Sequence, residues 1–61
     1  MNHREEIKRM ASRVPQKVRD GSIQMAIEWK KIQEKSMTIA RKTRATEAEL
    51  SSAYSQLKQY E

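Results

Sequence analysis

The sequence predicts an all-α fold. Three main helices are expected, the first kinked near Pro15, with a helical hairpin around Gly21 and a homodimer in which helices could be exchanged between chains. Three observations carry this. The composition favours helix formers (Lys, Glu, Gln, Arg, Ala, Met), with one Gly, one Pro and no strand-like alternation. Apolar residues recur at three- and four-residue spacing through three segments. The core material is too thin for a self-sufficient domain: five Ile, two Leu, two Val and no Phe in 61 residues. With no Cys and one His, neither a disulfide nor a thiolate metal site supplies a staple, which leaves self-association.

The first helix is expected over about residues 2–19. Ile7, Met10, Ala11, Val14 and Val18 form its apolar stripe. Asn2 is the expected cap, and Glu5 and Glu6 suit the positive helix start. Pro15 removes a backbone donor and crowds the preceding turn, so a kink or a division into two short helices is expected there. Asp20-Gly21-Ser22 reads as a turn, with Gly21 in the left-handed position and Ser22 capping the next helix.

The second helix is expected over about residues 22–42. Met25, Trp29, Ile32, Ser36, Ile39 and Thr43 make one seam, while Ile23, Ile27 and Met37 lie on a second side. A helix start that is apolar on two faces calls for two neighbours, and a second chain is the expected one. The third helix is expected over about residues 46–60, opened by a capping box at Thr46-Glu47-Ala48-Glu49 and carrying Leu50, Ala53, Tyr54, Leu57 and Tyr60 on its apolar stripe. The seam register continues through residues 43–45, so a turn there and an unbroken helix of roughly 38 residues are both open. The unbroken form would pair with, or exchange its last helix into, a second chain.

Charge is unevenly distributed. Residues 1–20 carry six Lys/Arg against three Asp/Glu, net +3; residues 21–44 carry six against two, net +4; residues 45–61 carry one against three, net −2. A basic body with an acidic end suits nucleic acid, an acidic protein face, or its own acidic end in a dimer. The six cations Lys30, Lys31, Lys35, Arg41, Lys42 and Arg44 point away from the seam. They could track a phosphate backbone, or form a solvated face laced by Glu28–Lys31 and Lys30–Glu34 pairs. Arg4, Lys8, Arg9, Arg13, Lys17 and Arg19 surround the first stripe, but that stripe has no aromatic and contains Pro15, so packing is favoured over a membrane surface.

Ala40, Arg44, Leu50 and Ala53 stand at the small, turn, aliphatic and small positions of a bihelical unit, with Thr46 at the second cap. On these residues the segment at about 36–56 resembles a helix-turn-helix. The resemblance implies a DNA-binding type of architecture, with Thr46, Glu47, Ala48, Ser51 and Ser52 toward the major groove. Arg44 departs from the pattern, since the turn position ordinarily holds Gly. The reading face also departs from it: Glu47 and Glu49 oppose phosphate, and Lys58 is the one cation of the third helix.

No catalytic residue and no cofactor is expected. There is no nucleophile–base pair and no Gly-rich loop, and His3 with Glu6 lacks a further His or Cys to complete a metal site. No apolar run approaches a membrane span, and a cytoplasmic location is expected. The expected self-interface and core residues are Ile23, Met25, Ile27, Trp29, Ile32, Ile39, Leu50, Ala53, Tyr54 and Leu57. The expected partner-facing residues of the last helix are Glu47, Glu49, Ser51 and Ser52. The function expected from this profile is non-enzymatic regulation by binding another protein, a DNA-binding transcription regulator, in the manner of small phage- or plasmid-encoded modulators. Direct dimeric DNA binding of helix-turn-helix type and a structural helical assembly unit are the alternatives.

Overall fold

The computed structural model describes residues 3–61 and is all-helical among them: α1 Arg4–Ala11, α2 Gln16–Arg19, α3 Ile23–Arg41 and α4 Glu47–Lys58. The fold measures 34 × 17 × 16 Å. α1, α3 and α4 pack on one another, and α2 packs on α3.

α1 places Ile7 and Ala11 in the core, with Glu5 and Glu6 at its positive end and Lys8 and Arg9 at its negative end. The expected cap, Asn2, lies outside the described residues. His3 stands at the cap position and makes no side-chain capping bond. The helix expected over 2–19 is two helices, because the chain leaves the helix after Ala11 and Ser12 and resumes it at Gln16. Pro15 would clash with the turn before it, and a proline disfavours helical backbone at the residue that precedes it, here Val14, which is not helical. Pro15 itself is extended (φ −63°, ψ 152°) and opens α2, a single turn that buries Val18.

Gly21 is not in the left-handed region. Its role is steric instead. A Cβ at this position would stand 2.8 Å from the Lys17 carbonyl oxygen and 2.7 Å from Met25 Sδ. The glycine lets the end of α2 come up against the start of α3. Ser22 then caps α3, its hydroxyl accepting from the Met25 N–H at 3.3 Å.

At the other end of α3 the chain turns through residues 42–46 instead of continuing as a helix. Lys42 is extended (φ −65°, ψ 135°), and Arg44 does not adopt positive φ. The second helix of this pair begins with the capping box read from the sequence: Glu49 N–H donates to Thr46 Oγ1 at 3.2 Å, and Thr46 N–H donates to Glu49 Oε1 at 3.3 Å.

The main core comprises Ile7, Ala11, Ala40, Leu50, Ala53 and Leu57. Each of the three packed helices contributes a buried alanine, with Ala11, Ala40 and Ala53 at 1%, 1% and 2% exposure. Small side chains let helix backbones approach closely, which is how so few large aliphatics close a core. The α3 seam is rotated from expectation. Ser36 and Ala40 are its fully buried positions, whereas Thr43 lies beyond the helix and is exposed.

Two side chains tie α1 to α3, one at each end of α1. Arg4 Nη1 donates to the carbonyl oxygens of Ala40 and Lys42, each at 2.6 Å. Gln33 Nε2 donates to the Ala11 carbonyl at 2.5 Å. The two helices therefore run antiparallel, and each supplies the other's C-terminal cap. A guanidinium on the negative end of α3 is also favoured by the helix dipole.

Candidate interaction surfaces

No residue cluster of the described chain has the makings of a metal site, and no helix is long and apolar enough to cross a membrane. Four separate regions of the fold carry candidate interaction surfaces.

The first region is the N-terminal half of α3. Of the residues expected in the core or self-interface, Trp29, Leu50, Ala53 and Leu57 are buried, and Met25, Ile32, Ile39 and Tyr54 are half-buried. Ile23 is left largely in solvent and Ile27 is only about half covered by this chain: they are 81% and 47% exposed. α2 is too short to shield them. Trp29, at 5% exposure, is buried outside the main cluster, and its Nε1–H has no hydrogen-bond partner. The N-terminal half of α3 thus presents two isoleucines to solvent beside a buried indole with an unmet donor.

The second region is the outer face of α3 and the turn after it. Lys30, Lys31, Lys35, Arg41, Lys42 and Arg44 are all exposed. The expected Glu28–Lys31 and Lys30–Glu34 pairs do not form; Glu28 instead accepts from Gln24 Nε2 at 3.3 Å. Lys42 is the one member held in an ion pair, with its Nζ 2.8 Å from Glu49 Oε2. That hydrogen bond, followed by the Thr46 N–H, keeps the Glu49 carboxyl below its usual range.

The third region is the exposed start of α4. Glu47, Ser51 and Ser52 face solvent, while Glu49 is half-buried and engaged by Lys42 and Thr46. Glu49 is therefore committed to holding the turn between α3 and α4, which leaves Glu47 and the serines as the free part of the expected partner-facing set.

The fourth region was not visible as a unit in the sequence. The C-terminal end of α1, the 12–15 link, α2 and the C-terminal end of α4 enclose an open groove. Tyr54 at its edge is stacked on His3, with ring centroids 4.4 Å apart and planes 18° apart, and Lys58 Nζ sits 5.6 Å from the Tyr54 ring centroid. His3 Nδ1 lies 3.5 Å from Glu6 Oε1, too far for a good hydrogen bond. His3 thus bridges α1 to α4 through its ring. The sequence signal for this groove was the ring of cations on the first stripe; the tyrosines that complete it are about 40 residues away in the chain.

No known family model matches this chain, and no match is found among curated proteins or solved structures.

Proposed function

We propose that this chain is a non-enzymatic regulatory module of the cytoplasm that works by binding protein. It pairs with a second copy of itself through the N-terminal half of α3, and the pair binds a DNA-binding transcription regulator and changes its activity. The observation that carries this reading is the exposure of Ile23 and Ile27 on a helix whose C-terminal half is packed in the fold. Ile23, left largely in water, forgoes roughly 1.5–3 kcal/mol of burial energy and the half-covered Ile27 about half as much, which a partner's surface would recover. The exposed start of α4, with Glu47, Ser51 and Ser52, offers a distinct polar surface for a protein partner.

Affinity capture from the native cell with wild type and with Ile23→Glu/Ile27→Glu tests this reading. Recovery of a DNA-binding protein by the wild type, and its loss with the variant, is the expected result. Recovery of the same proteins by both overturns the assignment to α3.

Direct duplex binding by the outer face of α3 is the second reading, favoured by five exposed cations there that are in no ion pair. Gel shifts with random duplex distinguish it: salt-sensitive binding lost on neutralising Lys30, Lys31 and Lys35 would support it over a purely protein-binding role.

A further inference from the structure

The groove between α1, α2 and the end of α4 holds a second concentration of charge, unconnected with the α3 surfaces. Arg9, Arg13, Lys17, Arg19 and Lys58 line it, against Glu6 and Glu61. All five cations are exposed, and none is in an ion pair. Five cations against two carboxylate side chains leave one concave surface with a net excess of three positive charges, whose potentials add. Three of the five are arginines, whose planar guanidinium binds phosphate through paired N–H groups and also stacks on flat rings.

The remaining lining narrows the class of ligand. Tyr54 is already engaged by His3 and Lys58. Tyr60, also in the groove, is half-buried and makes no ring contact. It is an open aromatic platform beside the cations. Met10, Val14 and Pro15 add a small apolar part to the lining. Cations that follow a backbone, together with an unoccupied aromatic ring, match the physical requirements of single-stranded nucleic acid, where phosphates meet Lys and Arg and bases stack. A duplex reader needs a protruding element that enters the major groove, and this surface is recessed. An acidic peptide would satisfy the cations but would leave Tyr60 without a planar partner.

We propose that this groove is a binding site for single-stranded nucleic acid, with Arg9, Arg13, Lys17, Arg19 and Lys58 on the phosphates and Tyr60 stacking on a base. The site is independent of the protein-binding reading, which rests on α3.

The test is fluorescence anisotropy with the full chain and a labelled oligothymidylate of about 12 nucleotides. The expected result is binding whose log affinity falls with log salt at a slope of about −2 to −3.5, corresponding to three to five phosphate contacts at ~0.7 each. Arg13→Glu/Lys17→Glu should weaken binding at least about tenfold, and Tyr60→Ala at least about fivefold. Lys30→Glu/Lys35→Glu, on α3, should change it less than Arg13→Glu/Lys17→Glu does. On the unaltered protein, amide shifts on adding the oligonucleotide should cluster at residues 9–19 and 54–60. That measurement keeps the proposal testable if a variant fails to fold. No binding at about 50 mM salt overturns the proposal. So do tighter binding of a duplex of equal length, tighter binding of a poly-glutamate peptide, and shifts centred on residues 30–44.

Discussion

From Ile32 onward, α3 gives Ile32, Met37, Ile39 and Ala40 to the main core or its margin, and its last carbonyls are capped by Arg4 from α1. Upstream of Ile32, Trp29 is its single buried residue, and Ile23 and Ile27 stand in solvent. The same helix is thus an interior element at one end and a surface element at the other. The difference follows from lengths. α1 has eight residues and α3 has nineteen, so an antiparallel α1 covers less than half of it, and α2 adds one turn at the far end. Stability is expected to reside in the C-terminal half of α3 and its neighbours, and binding in the N-terminal half.

The largest expected effect lies in the well-packed half. Leu57→Ala, at a fully buried position, should cost about 2–5 kcal/mol and unfold much of the chain, as followed by urea denaturation and circular dichroism. Ile23→Ala should leave the stability of a dilute, monomeric sample within about 0.5 kcal/mol of wild type. Equal losses at the two positions would erase the contrast.

Next come the tertiary caps and the close approach at Gly21. Arg4→Met removes two charge-assisted bonds to the end of α3 and should cost about 1.5–3 kcal/mol. Gly21→Ala should cost about 1–3 kcal/mol, since the Lys17 carbonyl is backbone and must shift. Both are read from chemical denaturation midpoints.

A smaller change, of opposite sign, is expected at Ser36. It is fully buried and its hydroxyl has no hydrogen-bond partner. Ser36→Ala should therefore stabilise the fold by about 1 kcal/mol, measured in the same way. A loss would show that the hydroxyl is satisfied in solution.

The smallest effect belongs to the exposed Lys42–Glu49–Thr46 cluster. The Glu49 carboxyl is held below its usual range, so its contribution is present above the unfolded carboxyl value and is lost as pH falls through the lower, folded one. Thermal melts from neutral to strongly acidic pH should show a shallower acid loss in Glu49→Gln than in wild type.

Local signals carried much of the fold. The Thr46–Glu49 capping box, the Ser22 cap, and Leu50, Ala53 and Leu57 on one stripe were all readable from spacing, because each involves residues within a turn or two of one another. Pro15 marked where α1 would fail, although the helix ends four residues before it. What local spacing could not show depends on distant pairs. Arg4 meets a carbonyl 36 residues away, and Gln33 one 22 residues away. Both are long polar side chains that read as solvent-facing in any periodicity. Glycine at a helix end commonly takes left-handed backbone, but at Gly21 the constraint is steric. The candidate surfaces divided the same way. Ile23 and Ile27 stood out as a second apolar side of one helix, while the groove required Tyr60 to be brought beside α2 by the fold.

The central claim, that the N-terminal half of α3 is a protein-binding face, is tested most directly by mass in solution. Sedimentation equilibrium over a concentration series should show wild type rising from 7.2 kDa toward twice that value, with Ile23→Glu/Ile27→Glu remaining at 7.2 kDa while keeping its helical spectrum. A wild type that stays at 7.2 kDa throughout, or a variant that associates equally well, would contradict it.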